Sequence, residues 1–220
     1  MSKLIPSTAK RSSLLRRRAD LTSEEFRTHW AGPHAKIATA MPGIAAYTQN
    51  RVDARLWSYP SEAAYECDGI VELEFEHEAA MAAAGETAVV REWLPADELK
   101  FLDGITLCRV EDGARQIRPG LLKVMIAAKL LDESESAIRR LQESLGLAGC
   151  VEWSTERVET TAHRESLGFE GDPPSVFASL WFAGEGDASR AFASGNWLKA
   201  LESAVRRATA WQIDPLKIVG

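Results

Sequence analysis

Apolar and polar residues recur along the chain with helical and strand periods, which predict two halves with the same order of elements. In the first half a Thr22–Glu25 capping box opens a helix that Pro42-Gly43 ends. Residues 71–75 alternate between apolar and acidic side chains, as in a half-buried strand. The predicted elements are a strand (11–18), a helix (22–41), two strands (44–52 and 70–75), a helix (78–93) and, after a turn at Pro95, a strand (105–110).

The second half repeats this pattern. Residues 47–52 (YTQNRV) return as residues 153–158 (WSTERV), and the same shift of 106 residues carries the strand 70–75 onto 176–181. The elements predicted here are a strand (121–130), a helix (133–145), a strand (150–159), a loop (160–174), a strand (176–182), a helix (187–207) and a strand (210–219). A turn-rich segment over 111–119 links the two halves.

Each half has the βαββαβ order of a ferredoxin-like unit, whose helices cover one face of the sheet and leave the other face bare. We expect the two bare faces to meet. The predicted fold is α+β, with two tandem ferredoxin-like repeats that form a pseudo-dimeric α/β barrel around a chamber. The predicted domains are 1–112, which carries the site, and 118–220, a degenerate second repeat. Strand alternation directs Glu72 and Glu74 towards the barrel side.

Composition narrows the classes of function. The 220 residues are 45% hydrophobic and 26% charged with a net charge of −6, which is typical of a folded chain and unfavourable for binding nucleic acid or an anionic membrane. No apolar run is long enough to span a bilayer, and the basic start, residues 3–18, lacks the apolar part of a secretory signal. We therefore expect a cytoplasmic protein. Three distant cysteines favour neither disulfides nor a metal site.

The first helix holds the densest cluster of reactive side chains. Phe26, Trp30 and His34 recur every four residues, which predicts one apolar stripe that includes His34. Gly32-Pro33 is expected to interrupt the helix and leave His34 beside free backbone N–H groups that disfavour a second proton on its ring. A neutral, desolvated imidazole can accept a proton from a substrate and return it, whereas the alternative is a packed core histidine. The remaining histidines, expected at the surface or in loops, are His29, His77 and His163.

Several segments together resemble the EthD family. They are 21–26 (LTSEEF), His29-Trp30, His34, Ala38, Pro42-Gly43, Tyr47, Asn50 and 68–75 (DGIVELEF). The resemblance spans roughly residues 10–110 and implies a ferredoxin-like fold whose sheets pair into barrels. It also implies a relation to cofactor-free isomerases, cyclases, dehydratases and decarboxylases of small lactones and polyketides, with His34 as the acid/base. Two features depart from the family: Gly32-Pro33, and a first strand rich in Arg and Lys where relatives are usually apolar.

Other residues are expected in the same chamber. Glu72 is expected to have a pKa raised by burial and to serve as a second acid, the alternative being an ion-paired strand face. Tyr47 and Asp68 are expected to orient a polar substrate, although Trp153 takes the place of Tyr47 in the repeat. The loop 55–67 is rich in aromatic residues and suits a lid over a flat ligand. The residues predicted to bind substrate are Trp30, Tyr47, Asp68, Glu74 and Trp57.

The sequence therefore predicts a cofactor-independent acid/base enzyme of lyase, isomerase or cyclase type. Its substrate is expected to be a small hydrophobic carbonyl, lactone or polyketide-like compound. The first helix of the second half, 133–145, has no histidine, so we expect one working pocket per chain with the second half as its structural partner. Motifs for nucleotides, zinc and nucleophilic serine are absent from the sequence, and His29 and His34 are not expected to share a helical face.

Two other interpretations stay open. One is a non-catalytic accessory protein that binds the hydrophobic compound for a partner enzyme. The other is a haem-binding protein or cofactor-free monooxygenase of the same barrel architecture, with His34 as the haem ligand. Pairing into a homodimer is also left open by the sequence.

Overall fold

The computed structural model describes residues 9–111, 118–194 and 196–220 and contains one closed barrel of eight antiparallel strands. Four strands come from the first half: β1 (Ala9–Arg17), β2 (Ile44–Tyr59), β3 (Gly69–Phe75) and β4 (Leu102–Val110). Four come from the second half: β5 (Leu122–Leu130), β6 (Glu152–Ala162), β7 (Val176–Phe182) and β8 (Val205–Val219).

The order of strands around the barrel is β1-β3-β2-β8-β5-β7-β6-β4, and β4 pairs with β1 to close it. Within each half the strands therefore follow the ferredoxin-like order, with the first strand between the third and the fourth. The predicted α+β barrel is confirmed. Most of the predicted linker 111–119, and the beginning of the basic segment 3–18, lie outside the described residues. The division into two domains stays a prediction.

The helices pack on the outside of this barrel. In the first half they are α1 (Ser23–His29), α2 (Ala35–Ala38), α3 (Glu78–Gly85) and α4 (Leu94–Glu98), with π-helical turns at Trp30–His34 and Val89–Trp93. In the second half they are α5 (Glu135–Gly146), α6 (Glu185–Ser194) and α7 (Asn196–Glu202). Thr22 caps α1 through the predicted capping box with Glu25. None of the helices in the described ranges is long and apolar enough to cross a membrane.

Three predicted boundaries are wrong. The strand predicted to end at Val52 continues to Tyr59, because residues 53–59 pair with β8. The helix predicted over 187–207 ends at Glu202, and Val205 already begins β8. Pro95 lies in the first turn of α4, where its missing N–H leaves no hydrogen bond unmade, so the chain stays helical where a turn was predicted.

Side chains of both halves fill the interior of the barrel. Large apolar residues from several strands meet there, namely Leu14, Ile70, Met125, Phe177, Trp211 and Ile213. An eight-stranded barrel is just wide enough for its inward side chains to occupy its centre. Among the described residues the expected hollow between the two sheets is therefore filled, and the pocket described below lies outside it.

Candidate active site

A pocket lies between the outer face of the first-half sheet and the helices that cover it. It holds an atom-free volume of about 600 Å³, its open mouth included, of which the centre of a water molecule can occupy about 60 Å³. Leu15, Val71 and Leu73 from the strands and Met41 and Leu94 from the helices give it apolar walls. Its polar side chains are Arg11, Ser13, His34, Tyr47, Glu98 and Arg164.

Asp97 holds two histidines beside this pocket. Nδ1 of His34 and Nε2 of His29 each lie 3.1 Å from Oδ2 of Asp97, and Lys100 Nζ donates to Oδ1 at 3.1 Å. Burial acts to raise the pKa of Asp97, but hydrogen bonds from Lys100, His29 and His34 outweigh it and hold this pKa below its usual value. Because an ionised carboxylate only accepts hydrogen bonds, Nδ1 of His34 carries the hydrogen and Nε2 is an acceptor.

His34 is a neutral base with an open nitrogen. Its ring is buried and packs on Phe101, with the ring centroids 4.9 Å apart. Burial lowers the pKa of His34, and the opposing effects of Glu98 and Asp97 do not cancel this. Among the described residues none bonds to Nε2, so this nitrogen is available to a molecule in the pocket. The void that the acid/base hypothesis requires is present beside the ring.

The π-helical turn Trp30–His34 explains how two histidines reach one carboxylate. Its hydrogen bonds run from residue i to i+5, so side chains five positions apart face the same way, as they do not in an α-helix. The wider turn also accommodates Pro33, which lacks an N–H. Two predictions are therefore wrong. The helix is not interrupted at Gly32-Pro33, and His29, with its side chain 23% exposed, shares a face with His34 instead of lying free at the surface.

Trp30 and Tyr47, both predicted to bind substrate, line this pocket on the helix side of the sheet. Gln49 Nε2 donates to the Tyr47 hydroxyl oxygen at 2.7 Å and to the Trp30 carbonyl oxygen at 2.8 Å. Burial raises the pKa of Tyr47 against smaller opposing effects of Gln49 and Trp30, so the hydroxyl keeps its hydrogen. Nε1 of Trp30 is buried and has no partner among the described residues. Such an unused buried donor is unusual and needs an explanation.

The second half supplies one cation to the pocket. Arg164, in the loop between β6 and β7, donates to both carboxylate oxygens of the buried Glu98, at 2.8 and 3.2 Å. Gly168 fixes this loop to β4, because its N–H donates to Asp103 O and its carbonyl accepts from Ile105 N, both at 2.8 Å. The second half therefore contributes Arg164 to the wall of the pocket, whereas it was predicted to be only a structural partner.

Residues 18–105 match the family model of the EthD domain. The chain therefore contains an EthD domain over these residues. The resemblance inferred from the sequence is thereby confirmed for this stretch. The second half lies outside the match, so its origin as a degenerate copy of the EthD domain stays a prediction.

Solved structures share the barrel across nearly the whole chain, whereas none of the curated proteins matches it. An anthrone oxidase-like protein is 9% identical over 96% of this chain and 94% of its own, with a TM-score of 0.64. A proposed monooxygenase from Fusobacterium nucleatum is 7% identical over 99% and 97%, with a TM-score of 0.53. A second, from Lactobacillus acidophilus, is 8% identical over 97% and 95%, with a TM-score of 0.48. At these identities the likeness to the first two structures shows a common fold.

Glu72 lies on the opposite face of the EthD-domain sheet, inside the barrel. Lys10 Nζ and Lys123 Nζ donate to its two carboxylate oxygens at 2.7 and 2.9 Å. Burial acts to raise the pKa of Glu72, but the two lysines outweigh it and lower this pKa. The predicted barrel-side position is right, whereas the predicted raised pKa is wrong. The sheet separates this carboxylate from His34, so the two do not meet in one pocket.

Three other predicted residues of the EthD domain also lie away from the pocket. Asp68 accepts hydrogen bonds from the backbone N and the Nε of Arg17, at 2.9 and 3.1 Å. Trp57 lies within β2, where a lid loop was predicted, and packs against the core of the second half. Glu74 is buried on β3, two positions from Glu72 and on the same face of the strand.

Five polar residues of the pocket region were not predicted: Arg11, Ser13, Asp97, Glu98 and Arg164. Asp97 and Glu98 lie two and three residues after Pro95, and two acidic residues in the first turns of a helix were the available signal. Arg11 could have been found from the alternation of β1, since it shares a face with Leu15. Nothing in the local sequence indicates Arg164. In the described ranges, no group of three or more His, Cys, Asp or Glu side chains could hold a metal ion.

Proposed function

We propose that the protein is an acid/base enzyme in which Nε2 of His34 removes a proton from a small hydrophobic carbonyl, lactone or polyketide-like compound and returns it elsewhere. The observation that carries this proposal is a buried histidine beside an apolar pocket, with Nδ1 held by Asp97 and Nε2 without a protein partner. The proposed reaction is a lyase, isomerase or cyclase step, and the proposed mechanism needs no cofactor.

Each neighbour of His34 has a defined part in this mechanism. Asp97 fixes the tautomer and stabilises the imidazolium that forms when Nε2 takes the proton, as the carboxylate of a catalytic triad does. The Tyr47 O–H is a donor for the oxygen on which negative charge develops. The apolar walls keep water from the reacting centre. General acid/base catalysis of this kind contributes roughly 10²–10⁴-fold.

Oxygenation is the second candidate, and the fold likeness to an anthrone oxidase-like protein is the reason to test it. The same proton removal would start the reaction. The carbanion would then react with dioxygen, a CH₂ group would become a carbonyl that keeps one oxygen atom, and the other oxygen atom would leave as water. Dioxygen uptake in step with substrate loss favours this route, and full turnover without oxygen excludes it.

Two alternatives to an acid/base enzyme or an oxygenase remain as outcomes of the test, namely a non-catalytic accessory protein and a haem protein. An accessory protein would bind the compound and release it unchanged. A haem protein would show a Soret band after haem addition. The volume open to the centre of a water molecule, about 60 Å³, is small for a porphyrin, so we place haem binding last.

The experiment begins with mass spectrometry of small molecules that co-purify with the protein. The identified compound, and a panel of small lactones and aryl ketones, are then offered to the wild type, to His34→Gln and to His77→Ser. His77 is exposed and caps α3 through its side chain, a role that Ser preserves, so this variant is the matched control. We expect kcat/KM to fall about 100-fold or more in His34→Gln and to stay unchanged in His77→Ser. Retained affinity without product from the wild type contradicts the enzyme proposal.

A further inference from the structure

Arg11 is a cation in the pocket wall for which the described residues supply no carboxylate. The neighbouring arginines differ in this respect. Arg164 pairs with Glu98, and Arg109 pairs with Glu78 and Glu159, each at 2.7 Å. No described residue accepts a hydrogen bond from the Arg11 guanidinium, although it carries five N–H donors.

Without a ligand, the position of Arg11 makes its lack of a carboxylate partner unfavourable for the stability of the protein. Arg11 lies directly opposite Arg109 in the β1–β4 pairing, and like charges in opposite positions of a sheet repel. Burial, followed by the charges of Arg164 and Arg109, lowers the pKa of Arg11. A partly buried charge without a partner costs stability. A ligand that brings negative charge into the pocket would remove this cost.

We propose that Arg11 binds a second oxygen of the ligand that is already ionised, the phenolate oxygen of an aromatic ketone, apart from the carbonyl oxygen that faces Tyr47. The inference rests on the proposed function, because it takes the pocket as the ligand site and assigns the class of ligand. Ser13 lies two positions along β1 on the same face, is buried and also lines the pocket, so its hydroxyl is a second donor to that oxygen. The oxygen would lie against β1 while the acidic C–H faces His34.

The test measures the ionisation of a bound probe, para-nitrophenol, whose phenolate form absorbs at longer wavelength than the phenol. The probe is titrated over pH with and without saturating protein. An apolar pocket alone raises the pKa of a bound phenol, whereas a guanidinium next to its oxygen lowers it by about one unit or more. We expect a lowered pKa with the wild type, a raised pKa with Arg11→Met, and a partly lowered pKa with Arg11→Lys.

Arg109→Met is the matched control, because Arg109 faces Arg11 but does not line the pocket. It is expected to behave as the wild type, and circular dichroism establishes that each variant is folded. Three outcomes overturn the inference: a raised bound pKa in the wild type, the same bound pKa in the wild type and Arg11→Met, or no binding of the probe at millimolar concentration. Arg11-dependent binding of para-nitrobenzoate with no effect on para-nitrophenol also overturns it, in favour of a carboxylate ligand.

A further variant separates this inference from the proposed function. His34→Gln is expected to keep the lowered pKa of bound para-nitrophenol, since Arg11 and Ser13 are unchanged. A lowered pKa that depends on Arg11, together with no turnover of any compound, would uphold the anion site and refute the enzyme. Turnover that depends on His34 but is unchanged in Arg11→Met would uphold the enzyme and refute the anion site.

Discussion

His29 and His34, five residues apart, contact the same carboxylate oxygen of Asp97 at 3.1 Å from either side. The π-helical turn between them makes this possible, and such turns within α-helices occur frequently at functional sites. The result is a histidine whose tautomer is fixed before any ligand arrives. Four predictions follow from this arrangement and from the packing around it.

Replacing Asp97 with Asn is expected to release His34 from its tautomer. An amide can bond Nδ1 as a donor or as an acceptor, so the preference for hydrogen on Nδ1 is lost. Nitrogen-15 NMR of the histidine rings checks this directly, and turnover is expected to fall about 100-fold. Asp103→Asn, which loses only an exposed ion pair with Arg16, is the control and should leave both measurements unchanged. An unaltered His34 spectrum in Asp97→Asn would contradict the role given to this carboxylate.

The lowered pKa of His34 fixes the sign of a pH effect on stability. The unfolded chain takes up this proton near pH ~6.5, while the folded protein resists it. The stabilising contribution is therefore complete above about pH 6.5 and is lost as the pH falls below that value. Urea unfolding from about pH 8 to about pH 5 should show a smaller loss of unfolding free energy in His34→Gln than in the wild type. Parallel curves would show that His34 titrates normally.

Gly69→Ala is expected to destabilise the fold through Trp30. A Cβ at Gly69 would lie 2.5 Å from Cζ3 of this fully buried indole, so the ring or the strand would have to shift. Overpacking of this kind costs about 1–3 kcal/mol. Gly32→Ala, whose Cβ would meet nothing within 4 Å, is the matched control and should be neutral or slightly stabilising. Denaturant unfolding of both variants gives the comparison, and equal effects would count against the tight packing of Trp30 on β3.

Glu72→Gln is expected to lower stability without lowering activity. The change removes the buried carboxylate that Lys10 and Lys123 share; Lys10 keeps its pair with Glu156, but Lys123 is left with Asn50 as its hydrogen-bond partner, and breaking a buried ion pair costs about 3–5 kcal/mol. Since the sheet separates Glu72 from the pocket, kcat below the unfolding temperature should equal that of the wild type. Glu78→Gln, at an exposed ion pair, should cost less than about 1 kcal/mol. Lost turnover at full stability would restore Glu72 as a catalytic residue.

The barrel could be predicted from the sequence because its signals are local. The alternation of residues 71–75, the Thr22 capping box and the two-fold order of elements each reflect burial or hydrogen bonding within a few residues. The site was harder to predict, because tertiary packing brings its residues together. Proline usually ends a helix, so Pro33 and Pro95 predicted breaks where tertiary packing keeps the chain helical. Because a turn was predicted at Pro95, the helical positions of Asp97 and Glu98 were not recognised.

Contacts between the two halves could not be predicted from local sequence patterns. Arg164 meets Glu98 across 66 residues of sequence, which no periodicity records. The hollow interior was expected because each sheet has a bare face, but whether two such faces enclose space depends on side-chain volume from both. Phe177 and Trp211 of the second half fill that space, which moves the pocket to the helix side of the sheet.

Every strand of the described ring has a neighbour on both sides, and all eight belong to one polypeptide. Covalent connection holds the halves at a fixed effective concentration, so dilution does not separate them as it separates independent subunits. Loss of any homodimer would therefore leave the described barrel closed.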